Sequence, residues 1–171
     1  MSSNAAVVPV ASAASATTTW LGLDVHKESV TIAVLRGDAA TPDRVDRLPN
    51  DLPKLQRYLE RLAGQGPLRA VYEASGAGYA LHRACTAWGV PCDVIAPSLI
   101  STKPGVQRKH DTYDAIQLAR LHRAGEPTVI RIPTEAEERV RDLVRCRETF
   151  QREILTSRHY LLKFLARRGC V

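Results

Sequence analysis

The sequence lacks most of the marks of a secreted or membrane-bound chain. Its cysteines, Cys85, Cys92, Cys146 and Cys170, contain no CxxC pair, which argues against a zinc site and a disulfide framework and suits a reducing cytosol. No apolar run approaches the ~20 residues of a membrane span, so a soluble, cytoplasmic protein is expected. Residues 1–19 contain no Lys or Arg. Their apolar stretch, Ala5 to Val10, is broken by Pro9, so they make a poor signal peptide and read as a disordered leader outside the fold.

What is present fits one globular domain with a helical appendage. The 171 residues are 44% hydrophobic and 25% charged, enough to bury a core but too few for two full domains. The net charge of +6 and a pI near 9.4 fit a polyanionic partner.

From Trp20 the pattern becomes regular. Trp20, Leu21 and Leu23 lead into Asp24, and Val30, Ile32 and Val34 alternate along Ser29 to Leu35, which predicts two strands joined by a turn. Arg44 to Leu48 is a candidate third strand. Leu52, Leu55, Tyr58, Leu59 and Leu62 recur at helical spacing before Gly64 and Gly66, an amphipathic helix with a stop. Leu68 to Tyr72 reads as a strand delivering Glu73, and Ser75 can cap a helix from about Gly78 to Trp88. Pro91 to Ala96 is a further strand.

The stretch Ser98 to Lys109, carrying Lys103, Arg108 and Lys109, reads as a basic loop or short helix fit for phosphates. Asp111 opens a helix to His122 with Ala115, Leu118, Ala119 and Leu121 as its packing face. Alternating strands and helices after a meander predict an α/β domain with a mixed sheet, here residues 20–132.

Residues 133–171 form the second part. Thr134 and Glu137 have capping-box spacing, and an apolar stripe runs from Val140 to Leu165 without a helix breaker, predicting one long helix. It is basic after its first turn, with Arg139, Arg145 and Arg152 as candidate nucleic-acid contacts, and its stripe suits a coiled-coil partner and hence a homo-oligomer.

Four acids then stand out. Asp24 and Glu73 close two strands, and Asp111 and Asp114 lie one helical turn apart. If the first and fourth strands are neighbours, all four meet at one end of the sheet. Such a cluster repels itself unless cations neutralise it, and oxygen ligands favour Mg²⁺ or Mn²⁺ over zinc. Two such ions can stabilise the attacking and leaving oxygens at a phosphodiester. Lys27, Arg108 and Lys109 could bind phosphates nearby. Asp24 as a turn residue, Asp111 as a helix cap and Asp114 as a first-turn acid are the plainer alternatives. The five histidines show no metal-ligand spacing, although His110 beside Asp111 could touch the site.

Together GLDVHK, YEASGAGY and RKHDTYDA resemble the amino-terminal domain of the DEDD-type insertion-sequence transposases, the bridge-RNA-guided serine recombinases related in fold to the RuvC resolvases. The resemblance spans about Trp20 to Arg168. It implies an RNase H-like fold and catalytic Asp24, Glu73, Asp111 and Asp114 binding Mg²⁺. It also implies DNA recombination that moves an insertion element with a structured guide RNA. In that family a second domain after the long helix supplies the serine nucleophile, so this chain is expected to be a truncated form, incomplete for transposition alone. His110 stands where the family more often has a small polar residue. A standalone structure-selective endonuclease and a non-catalytic nucleic-acid-binding or oligomerisation module are the alternatives.

Overall fold

Apolar residues buried on both faces between Thr19 and Arg36 build the centre of a five-stranded sheet. The computed structural model describes residues 17–74, 78–96 and 111–170. In chain order these form β1 (Thr19–Val25), β2 (Ser29–Arg36), β3 (Arg44–Pro49), α1 (Leu52–Ala63), β4 (Leu68–Glu73), α2 (Ala80–Ala87), β5 (Cys92–Ile95), α3 (Asp111–Ala124) and α4 (Glu135–Ala166). The sheet order is β3-β2-β1-β4-β5. β1, β2 and β3 form the expected antiparallel meander, while β4 runs parallel to β1 and β5 parallel to β4. This mixed sheet flanked by helices, followed by a long helix, is the α/β arrangement expected from the sequence.

The chain divides into two compact units between Ile130 and Arg131. β1 opens at Thr19, one residue inside the stretch assigned to the leader, because the Thr19 amide donates to Pro67 O at 2.8 Å. The Ser75 cap and the basic stretch Ser98 to Lys109 lie outside the described residues. α2 begins at Ala80 with Tyr79 as its N-cap and no side-chain capping bond, and Gly89, at φ +70°, follows its end.

Strand register sorts the residues onto two faces. Leu21, Leu23, Ile32, Ala70 and Tyr72 share one face and are buried. α1 lies on that side, where the Tyr58 hydroxyl donates to Asp46, the residue paired with Ile32. Asp51 caps α1 by accepting from the Lys54 amide at 2.9 Å, and Leu55, Tyr58, Leu59 and Leu62 form its buried stripe, the amphipathic pattern of a helix laid on a sheet.

α3 covers the opposite face and runs antiparallel to β1. At Gly22 the approach is so close that an added Cβ would lie 2.0 Å from Ala115 O and 2.6 Å from Ala119 N. Only glycine in the strand, opposed by small residues one turn apart on the helix, permits this contact. Further along, Leu118 packs with Val71 and Ile95, and His122 meets Trp20 edge-on with ring centroids 5.2 Å apart. His122 Nε2 also lies 2.8 Å from Asp93 Oδ2, tying the end of α3 to β5.

α4 is a single 32-residue helix with a complete capping box between Thr134 and Glu137, as the sequence predicts. None of its residues is buried. Among the described residues no helix is long and apolar enough to cross a membrane.

Candidate metal centre

The register that seats Gly22 against α3 also fixes what stands beyond it. Asp24 is two residues further along β1, on the same face because strand side chains alternate. Asp111 is one helical turn before Ala115, so the start of α3 is brought to Asp24. Across the sheet, Asp24 pairs with Thr31 on β2 and Thr31 with Arg47 on β3. On the other side Leu23 pairs with Tyr72, which makes Glu73 the next neighbour of Asp24 in the parallel ladder. Arg47, Thr31, Asp24 and Glu73 therefore form one row across four strands, at the end of the sheet where α3 begins.

His26 completes the group. Its Nε2 lies 3.0 Å from Asp24 Oδ2 and 3.6 Å from Asp111 Oδ1. One ligand atom each from Asp24, His26 and Asp111 falls within 4.8 Å of the others. On the far side of Asp111, Arg47 Nη1 stands 3.6 Å from Oδ2, while its Nε and Nη2 donate to Ser29 Oγ at 3.2 and 3.0 Å. The turn carrying His26 is held in place, because Asn50 Nδ2 donates to His26 O at 2.8 Å and the His26 amide to Ser29 O at 2.9 Å.

Burial pushes the Asp24 carboxyl above its ordinary pKa; His26 opposes this, and Asp111 and Asp114 add to it by like-charge repulsion. Asp114 thus acts on Asp24 from the same helix turn as Asp111. Glu73 is part-buried and has interactions of its own.

Carboxylates and an imidazole form a donor set suited to a hard or borderline divalent cation. Thr31, the cross-strand partner of Asp24, is 3% exposed, and its Oγ1 has no hydrogen-bond partner among the described residues. A repelling acid cluster and an orphaned hydroxyl on one face both fit a bound cation with its water ligands.

The sequence-based candidates separate into three groups. Asp24 and Asp111 come together with His26, Asp114 acts on Asp24 through charge from the same helix turn, and Glu73 stands beside Asp24 in the row without joining that close group. Lys27 is exposed in the β1–β2 turn, and Arg139, Arg145 and Arg152 are exposed on α4. Lys103, Arg108 and Lys109, like His110, lie outside the described residues.

Two participants escaped the sequence reading. The absence of metal-ligand spacing among the histidines argued against His26, yet it meets Asp24 and Asp111. Its i+2 offset from a strand-end aspartate was the available signal. Arg47 carried none, because it reaches Asp111 only through the pairing of β3 with β2.

The chain is similar to known proteins. The chain is 31% identical over 151 residues, 87% of its length, to "Transposase for insertion sequence element IS1533" from Leptospira borgpetersenii, and the match covers 44% of that protein. It is 45% identical over 98 residues to "Putative transposase y4qE" from Sinorhizobium fredii (strain NBRC 101917 / NGR234), covering 57% of this chain and 25% of that one. The matches thus cover less than half the length of either relative. Among solved structures, RuvC of T. thermophilus in complex with a Holliday junction substrate aligns with a TM-score of 0.45 and 13% identity, over 67% of this chain and 99% of that one. A family model described as transposase, for the DEDD group of IS110 type, matches residues 21–168, and the chain belongs to that family of transposases.

Proposed function

We propose that the sheet unit is the metal-dependent DNA-processing domain of an insertion-sequence transposase, with Asp24, Glu73, Asp111 and Asp114 as the acids that hold Mg²⁺ or Mn²⁺. The observation that carries this reading is the meeting of Asp24 and Asp111 from a strand end and a helix start, beside Glu73 and Asp114. Divalent ions there would supply charge neutralisation and Lewis acidity at a DNA phosphodiester. His26 spans the two carboxylates and offers an imidazole nitrogen at the edge of the site. Arg47 stands at one oxygen of Asp111 and leaves the other toward His26.

Exposed Arg139, Arg145 and Arg152 on α4 are proposed contacts for nucleic acid, including a structured guide RNA, since guanidinium groups pair with phosphate in a bidentate way. Val140, Leu143, Phe150, Ile154, Leu161 and Phe164 fall on one heptad seam, interrupted by Arg147 and Ser157. All six are exposed, and pairing of two α4 helices would bury them. The proposed setting is the cytoplasm, where DNA and reduced thiols are found.

Calorimetric titration with Mn²⁺ tests the reading. Wild-type protein should bind Mn²⁺, and Asp24→Asn and Asp111→Asn should each weaken binding by about ten-fold or more, the loss expected when a charged ligand is removed. Equal Mn²⁺ affinity in wild type and both variants would remove the metal site.

A further inference from the structure

On the edge strand β3, away from the carboxylates, lies an open groove of about 410 Å³ lined by Arg44, Asp46, Arg47, Tyr58, Arg61 and Gln65. Arg44 and Arg61, both exposed, stand with Asp46 on the α1 side of the sheet, whereas the Arg47 guanidinium turns to the opposite face toward Asp111. Their guanidinium carbons stand 5.6 and 5.4 Å from the Tyr58 ring centroid. Arg44 Nε also lies 2.9 Å from Asp46 Oδ2, and the Tyr58 hydroxyl donates to the same carboxylate. Both cations thus rest on one aromatic ring, and Arg44 is also held by Asp46, which lowers the entropy lost when they bind an anion.

The chemistry of the groove selects its occupant. Tyr58 is only 6% exposed, so no aromatic face is open for stacking an unpaired base, the usual device of single-strand binders. What the groove offers is positive charge and guanidinium donors, which read phosphates. Lys54 and Arg57, both exposed on α1, extend the cationic surface beyond Arg61. In the other direction Arg47, three residues and about 10 Å along β3 from Arg44, borders the groove at the sheet edge and turns its side chain to the opposite face, where it approaches Asp111.

We infer that the β3–α1 groove, through Arg44 and Arg61, binds the phosphate backbone of double-helical nucleic acid, and that the β3 edge guides the duplex past Arg47 toward the carboxylates. The direction of the track rests on the metal-site reading above; the binding itself does not.

The test uses the full chain, EDTA and a fluorescein-labelled DNA duplex of ~20 bp in a salt series, read by fluorescence anisotropy. Arg44→Glu/Arg61→Glu should bind about ten-fold or more weakly at low salt, with a log–log salt slope shallower by about two. Arg44→Lys/Arg61→Lys keeps both charges and should stay within about three-fold of wild type, which a purely structural role for the Tyr58 stack would not give. A parallel titration with an RNA duplex identifies which helix is preferred.

A folded Arg44→Glu/Arg61→Glu variant that binds as wild type overturns the inference, as does equal affinity for a single strand of the same length. If that variant fails to melt cooperatively, Lys54→Gln/Arg61→Gln, at two exposed positions of α1, carries the same comparison. Mn²⁺ affinity should be unchanged in the groove variants. Unchanged duplex binding with intact Mn²⁺ binding would sink the groove alone, whereas lost duplex binding in a protein that never binds Mn²⁺ would sink the metal site alone.

Discussion

The sheet unit and α4 treat their apolar residues in opposite ways. In the first, α3 lies on β1 so tightly that Gly22 has no room for a methyl group, and Leu118 is buried with Val71 and Ile95. In the second, Phe150, Ile154 and Leu161 are each more than half exposed, and a capping box rather than packing defines where the helix starts. The contrast separates two sources of structure. Interior contacts fix the sheet unit and align its acids, whereas α4 depends on local helix signals and, on the reading above, on another helix.

The sharpest way to break this contrast is Gly22→Ala. The new Cβ would fall 2.0 Å from a backbone oxygen, which no rotamer change relieves, so the variant should lose about 3 kcal/mol or more of stability, or fail to fold, in a urea melt. A melt like that of wild type would mean that α3 does not sit against β1. Leu118→Ala, which empties a buried position on the same interface, should cost about 2–4 kcal/mol by the same measurement.

Effects on α4 should be smaller and local. Thr134→Ala removes the side chain that accepts from the Glu137 amide and should cost about 1 kcal/mol of helix stability, seen as faster amide exchange in the first turn. The same turn should respond to acid. Arg131, foremost, together with Thr134 holds the Glu137 carboxyl well below its ordinary value, at about 2. A depressed pKa stabilises the fold above the unfolded value, near ~4.3, and the contribution is lost as pH falls through the folded value. First-turn protection should therefore decline between those limits. Leu161→Glu should leave the melt of the sheet unit within about 0.5 kcal/mol of wild type while halving the mass measured by sedimentation. A cooperative loss of the sheet unit in that variant would erase the distinction between the two regions.

The same division governs what could be read from sequence. Strands, helices and the capping box of α4 follow from local period and punctuation, and Asp24 and Glu73 were legible as strand-end acids. The neighbourhood of β1 and β4 made their meeting a conditional expectation, and the sheet order supplies that condition. Gly22 read only as part of a strand, although glycine there and alanines at 115 and 119 are the two halves of one close approach. Arg47 and the Tyr58 stack depend on β3 pairing at the sheet edge and on α1 folding back over it, long-range geometry that no local pattern encodes.

Anomalous diffraction from crystals soaked in Mn²⁺ tests the central claim most directly. A peak coordinated by the carboxylates of Asp24 and Asp111, with Glu73 or Asp114 completing its shell, is the predicted result. A protein whose acids remain empty at saturating Mn²⁺, or whose manganese binds elsewhere, would contradict it.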